Sequence, residues 1–259
     1  MNAFLGRLHG SDPVLMLAIR SSRTADVVRI AKSAGHHAVM VDLEHSTMPL
    51  DVAASLCATA GDLGLFPFVR VRERDYAALG PLLDGGAQGI IAPRVETAAE
   101  AATIARACRF APRGQRSQLA TVPQFGLRPT PAATLNPALD DATVVQILIE
   151  TPAGVASADE IAAVDGVDML AFGANDFTAE LGAPGRYADP RVTEAIATLA
   201  AACKRHDKPL MVGGIPDEAL LRDLDSLGVC PLRLTGTDTD MLYAGASARA
   251  ERFLKCHGF

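Results

Sequence analysis

A (β/α)8 barrel is the fold class that this sequence predicts, on three observations. Near-continuous apolar runs recur eight times, each followed by a segment with apolar residues at helical spacing. Such runs read as strands buried on both faces, hence as a parallel sheet with helices outside it. Polar residues able to do chemistry gather just after the runs, at the strand ends where barrels keep their sites. The length of 259 residues suits one barrel, and no linker or low-complexity stretch divides the chain, so residues 1–259 read as a single domain. A doubly wound sheet is the competing arrangement; eight strand–helix beats close more naturally into a barrel.

Taken in order, Val14–Ile19 reads as strand one, and Thr24–Ala34 as a helix stopped by Gly35. Ala38–Leu43 is strand two, followed by helical Pro49–Ala60. Phe66–Val71 is strand three, followed by helical Tyr76–Leu83, which Gly85-Gly86 closes. Gly89–Pro93 and helical Ala98–Cys108 make the fourth beat. Arg109–Asp141, rich in proline, arginine and glycine, reads as an irregular connection, and its length points to function or an interface. Val144–Ile149 and Val167–Phe172 are strands five and six, joined by helical Ala153–Ala163. After helical Pro190–His206 come strand seven at Pro209–Val212, helical Asp217–Leu227, strand eight at Val229–Leu234 and a last helix, Thr239–Lys255.

Composition narrows the partners. Hydrophobic residues make up 49% of the chain, which supports a sizeable core. A net charge of −6 with no basic patch argues against nucleic acid. No apolar stretch reaches the roughly 18–20 residues that span a bilayer, and the N-terminus lacks the order of regions of a signal peptide. Five scattered cysteines without a CxxC pair read as buried thiols of a cytoplasmic protein, not as a zinc site.

The strand ends carry the candidate chemistry. Glu150 directly follows strand five, and Asp176 lies a few residues after strand six. Two carboxylates on neighbouring strand ends suit a hard divalent cation; two solvated loop acids have the same spacing. His45, flanked by Glu44 and Ser46 after strand two, is a candidate acid/base or a structural histidine. Arg70 interrupts an apolar run and requires an anionic partner: Glu44, Glu73 or a substrate carboxylate. None of the four lysines falls at a C-terminal strand end, which argues against a Schiff base. A carbanion or enolate made here would need a metal and an arginine to hold its charge. A phosphate site is poorly supported, because Asp238 and Asp240 follow strand eight.

Five ordered motifs, VDLEHS (41–46), FVRV (68–71), LLDGGAQGIIAPRVET (82–97), ILIETPAGV (147–155) and FGANDFTAELG (172–182), resemble the HpcH/HpaI aldolase family. These are class II pyruvate aldolases, such as 4-hydroxy-2-oxoheptanedioate aldolase and 2-keto-3-deoxy-sugar-acid aldolases, on barrels of the phosphoenolpyruvate/pyruvate type. The resemblance implies a metal-dependent lyase that cleaves 4-hydroxy-2-oxo acids to pyruvate and an aldehyde through a pyruvate enolate. Oxaloacetate decarboxylation would be a side activity. Glu150 and Asp176 would bind the cation (Mg²⁺, Mn²⁺ or Co²⁺), and Ala174, Asn175 and Asp176 would receive the pyruvate carboxylate. Arg70 would stabilise the enolate, His45 would move the proton, and Glu44 would hold water beside the metal. Asp84 matches an acid that raises the histidine's basicity; lying before strand four, at the opposite rim, it is either such an acid serving a neighbouring subunit's histidine or a helix-end acid in a DGG turn.

A homohexamer of barrels that exchange their last helix is implied as well. Two departures from the family's motifs stand out: Leu148 replaces a glutamine two residues before the metal glutamate, with Gln146 four before it, and Ser117 replaces a common glycine. Two other functions remain to be separated from this one. The first is a CoA-thioester lyase of the citrate lyase β or malyl-CoA type. The second is a non-catalytic barrel that binds pyruvate or oxalate.

Overall fold

The computed structural model describes residues 2–256. Its strands are β1 (Val14–Ile19), β2 (Ala38–Asp42), β3 (Phe66–Arg70), β4 (Gly89–Ala92), β5 (Val144–Ile149), β6 (Met169–Gly173), β7 (Leu210–Gly213) and β8 (Leu232–Thr237). All pair in parallel, in the order β7-β6-β5-β4-β3-β2-β1-β8. The result is a nearly closed (β/α)8 barrel, the expected fold class. Among the described residues no ladder joins β7 to β8; the Cys230 N–H bonds the Leu210 carbonyl across that seam at 2.8 Å.

The helices are α1 (Ala3–Leu8), α2 (Asp26–Ser33), α3 (Leu50–Asp62), α4 (Leu79–Asp84), α5 (Ala98–Ala107), α6 (Ala132–Ala142), α7 (Pro152–Ala156), α8 (Ala158–Ala162), α9 (Ala174–Glu180), α10 (Pro190–Arg205), α11 (Glu218–Asp225) and α12 (Asp238–Cys256). Strand residues alternate between two cores. Val39, Val41, Val69, Ile147 and Ile149 point outward onto the helices. Met16, Met40, Phe68, Leu148, Ala171 and Met211 fill the interior. α1 closes the N-terminal mouth of the barrel. Its Phe4 stacks on Phe66 with ring centroids 4.2 Å apart, burying two large apolar rings where the strands begin.

Several boundaries differ from the expected ones. The irregular connection contains α6, whose Leu135 and Leu139 pack on Phe110 and Val122; one helical turn separates the two leucines, and Pro137 inside the helix masks the pattern. β8 starts three residues later than expected, because Pro231 has no N–H for the ladder, although its carbonyl accepts from Val14. The joining helix is split into α7 and α8 at Ser157. Of the five thiols, Cys256 is exposed and the other four are buried and free. Among the described residues, no helix is long and apolar enough to cross a membrane.

Candidate active site

The period of two along a strand decides which side chains reach the barrel mouth. Counting on from interior positions, Met16–Ala18 leads to Arg20, Ala38–Met40 to Asp42, and Phe68 to Arg70. Gln146–Leu148 leads in the same way to Glu150, and Met169–Ala171 to Gly173. Of these mouth residues Arg20, Arg70, Glu150 and Gly173 line a cavity of about 380 Å³ whose floor includes Met16, Met40, Gln146 and Met211, while Asp42 is buried behind the two arginines. His45, Arg70, Glu150, Ala174, Asn175 and Asp176 all line it, so six of the sequence-predicted site residues meet in one place.

Two buried carboxylates organise the site, and they are compensated differently. Asp42 is 0% exposed and pairs in register with Arg70 on the next strand. Arg70 grips it with Nε on Oδ1 at 3.0 Å and Nη2 on Oδ2 at 2.6 Å, while Arg20 Nε donates to Oδ2 at 2.7 Å. The N–H groups of Glu44 and His45 also donate to Oδ1. Burial raises the Asp42 pKa, but hydrogen bonds and charge from Arg70, then Arg20, outweigh it and bring it down to about 2. Arg70 also reaches Glu44, Nη1 to Oε2 at 3.1 Å, and Glu44 stands 3.8 Å from His45 Nε2. The anionic partners of Arg70 are therefore Asp42 and Glu44; Glu73 lies instead near Arg74 and Arg94.

Glu150 has no such guanidinium clamp. Its Oε1 accepts the Arg94 N–H at 2.9 Å. Burial, then the negative charges of Glu44 and Asp176, push its pKa up to about 7 against weaker help from Arg94 and Arg70. Gly173 makes room for it: a Cβ there would come within 2.6 Å of Glu150 Oε2. Beside it α9 begins with Ala174, Asn175 and Asp176. Asn175 Oδ1 accepts from Tyr187 at 2.6 Å, and Gly214, at φ +83°, packs against the Asn175 side chain and backbone nitrogen.

A divalent cation fits this donor set. Among the described residues no three His, Cys, Asp or Glu side chains form a metal cage. Two carboxylates, with the remaining positions left to water and substrate, are what Mg²⁺ and similar ions take. The glycine cradle and the repulsion focused on Glu150 both favour positive charge at that point.

Asp84 lies apart from the cavity. It ends α4 and accepts from Arg116 Nη2 at 2.8 Å; that guanidinium is buried and sits 4.6 Å over the Phe110 ring. Gln146 reaches the cavity floor, one layer below Leu148; its Nε2 faces Met211 Sδ at 3.6 Å and its Oε1 is buried without a partner. Reading the sequence for strand-end residues missed Arg20 and gave Asp42, at the end of strand two, no role. The signal was present, since both continue the interior parity of β1 and β2.

A parallel barrel with charged groups gathered at its C-terminal mouth is the frame of a barrel enzyme. Within that class, the family model for HpcH/HpaI aldolase/citrate lyase matches residues 16–211. The chain belongs to the HpcH/HpaI aldolase/citrate lyase family. It is 40% identical over 237 residues to a 4-hydroxy-4-methyl-2-oxoglutarate aldolase of Hapsidospora irregularis, covering 89% of this chain and 86% of that one. It is 32% identical to a 4-hydroxy-2-oxovalerate aldolase of Rhodococcus jostii, covering 92% and 89%. The crystal structure of an HpcH/HpaI aldolase from Desulfitobacterium hafniense superposes with a TM-score of 0.89 at 25% identity, covering 98% and 97%.

Proposed function

We propose that this chain is a divalent-metal-dependent class II aldolase that cleaves 4-hydroxy-2-oxo acids to pyruvate and an aldehyde or ketone. The observation that carries the reading is that Glu150, a buried acid without a guanidinium partner, lines one cavity with Asp176, Arg70 and His45. The aldolase names of the relatives support it. A cation (Mg²⁺, Mn²⁺ or Co²⁺) held by Glu150 and Asp176 would chelate the 2-oxo acid and polarise its keto group.

The chain's own groups do the rest. The N–H groups of Ala174, Asn175 and Asp176 receive the substrate carboxylate at the start of α9. His45 takes the proton from the C4 hydroxyl; the C3–C4 bond then breaks, its electron pair moves into the enolate, and a proton from solvent at C3 completes pyruvate. Arg70, fixed by Asp42 and Glu44, holds its guanidinium where negative charge grows on the enolate oxygen. Glu44, between Arg70 and His45, orients both and holds water beside them. Oxaloacetate decarboxylation follows from the same enolate as a side activity.

The same proposal includes a homohexamer that exchanges α12. Support comes from α12 itself, which buries no side chain in its own barrel and leaves Leu242 74% and Tyr243 76% exposed. In that assembly Asp84, held by Arg116, raises the basicity of a neighbouring copy's His45. Residues 1–259 then act as one catalytic unit in the cytoplasm, in line with four buried free thiols.

The test is pyruvate release from 4-hydroxy-2-oxo acids, coupled to lactate dehydrogenase, with EDTA and after restoring each metal. Release that depends on added metal is expected. Release that survives complete metal removal would overturn the roles of Glu150 and Asp176, and absence of release would overturn the aldolase reading.

A further inference from the structure

Arg20 is held from both ends by the barrel. The backbone N–H groups of Arg20, Ser21 and Ser22 all donate to the Asp238 carboxylate, at 2.9, 3.1 and 2.7 Å. Arg23 Nη1 donates to the Arg20 and Ser21 carbonyls, each at 2.9 Å. At the far end of the side chain, Nε is fixed on Asp42. This leaves both Nη groups without a hydrogen-bond partner among the described residues, on a side chain 35% exposed and lining the cavity. Asp42 does not depend on them, since Arg70 already binds both its oxygens. A pre-positioned planar guanidinium with free donors facing a cavity is a carboxylate receptor.

The order around the mouth says which carboxylate. The pyruvate-forming half of the substrate belongs with Glu150, Asp176 and α9, on β5 and β6, with Arg70 on β3. Then come Asp42 and His45 after β2, and beyond them Arg20 after β1. His45 sits at the bond to be broken, so Arg20 lies on the far side of it, beside the other half. The geometry points to Arg20 as a specificity-determining residue that binds a carboxylate on the acceptor half. The preferred aldols are therefore those whose second product is itself a 2-oxo acid or another carboxylic acid. This rests on the aldolase reading and adds to it the charge of the second product.

The test compares the named substrates of two relatives. Cleavage of 4-hydroxy-4-methyl-2-oxoglutarate leaves a charged second product, pyruvate; cleavage of 4-hydroxy-2-oxovalerate leaves neutral acetaldehyde. The readout is the ratio of kcat/KM for the charged over the neutral substrate, measured on the full chain with Mg²⁺ or Mn²⁺. A ratio is insensitive to the fraction of variant that folds. Arg20→Gln is expected to lower it on the order of 10–100-fold, the range of a charge-assisted hydrogen bond, and Arg20→Lys to recover most of the loss. An unchanged ratio, with both substrates slowed alike, would make Arg20 a support for Asp42 alone and overturn the proposal. A wild-type preference for the neutral substrate would overturn it as well. In either case metal-dependent cleavage itself would leave the aldolase reading standing, whereas failure to cleave both substrates would remove the two together.

Discussion

The β1–β3 side and the β5–β6 side of the same barrel mouth treat a buried carboxylate in opposite ways. Asp42 is surrounded by two guanidiniums and two backbone N–H groups, and its pKa falls to about 2. Glu150 receives one backbone N–H and faces two further acids, and its pKa climbs to about 7. Both side chains are buried, so burial does not account for the difference. What differs is the supply of positive charge: two guanidiniums bind the acid on one side, and none binds the acid on the other. The first acid anchors Arg20 and Arg70, and the second is the one to which the proposed function gives a cation.

The largest expected effect breaks the two sides apart by function. Arg70→Ala is expected to lower kcat about 10²–10³-fold, as removal of a group that stabilises developing oxyanion charge does, while Mn²⁺ affinity by calorimetry stays near the wild-type value. Glu150→Gln is expected to do the reverse at the binding step and lose the cation. If both variants lost metal equally, the division of labour between the two sides would be wrong.

Stability without metal is expected to separate the sides by sign. Asp42→Asn strands Arg20 and Arg70 and is expected to destabilise by about 3–5 kcal/mol in urea unfolding at pH 8. Glu150→Gln removes a charge that the fold disfavours and is expected to stabilise the metal-free chain under the same conditions. A loss of stability in Glu150→Gln would show that Glu150 is already compensated within the chain.

How much of this contrast was legible beforehand follows from what a linear sequence carries. Glu150 could be read because it directly follows an apolar run, Asp176 because it lies a few residues after one, and Arg70 because a charge interrupts one. Of the acids expected as partners of Arg70, Glu44 is one, whereas the second partner, Asp42, follows from the parallel register that sets it opposite Arg70. Register is a property of two strands together, so it shows only when interior parity is counted along both. α6 was hidden by its proline, and the start of β8 by Pro231. The sequence of α12 does not show what its apolar residues pack on, and only the fold leaves Leu242 and Tyr243 exposed.

The two acids also predict opposite pH slopes for the metal-free chain. Asp42 has a folded pKa below its unfolded value near 3.8, so the unfolded state binds more protons between about pH 4 and 2. Its contribution, about 2 kcal/mol, is complete above that window and lost as pH falls through it. Glu150 has a folded pKa above its unfolded value near 4.5, so the folded state binds more protons between about pH 4.5 and 7. Its cost, about 3 kcal/mol, grows as pH rises through that range and is fully present above it. Urea unfolding from pH 2 to 8 would show a rise, then a decline, and added Mn²⁺ should abolish the decline. A decline that persists in Glu150→Gln would assign it to another group.

The smallest effect sharpens the contrast at a single atom. Gly173 has φ −100° and ψ 96°, which alanine adopts without strain, so Gly173→Ala tests space and not backbone freedom. The added Cβ would meet Glu150 Oε2 at 2.6 Å and Glu150 Cβ at 3.0 Å. The carboxylate end is flexible and can turn away at little cost to the fold, but the Cβ contact limits how far the whole side chain can follow. The thermal midpoint of the metal-free variant should therefore stay near wild type while Mn²⁺ affinity falls on the order of tenfold, the scale of a displaced neighbour in a metal site. The corresponding glycine-free clamp around Asp42 offers no such handle, because there the carboxylate is held by bonds and not by room. Unaltered Mn²⁺ affinity in Gly173→Ala would mean that Glu150 reaches the cation from a position away from Gly173, and that the cradle is a packing accident.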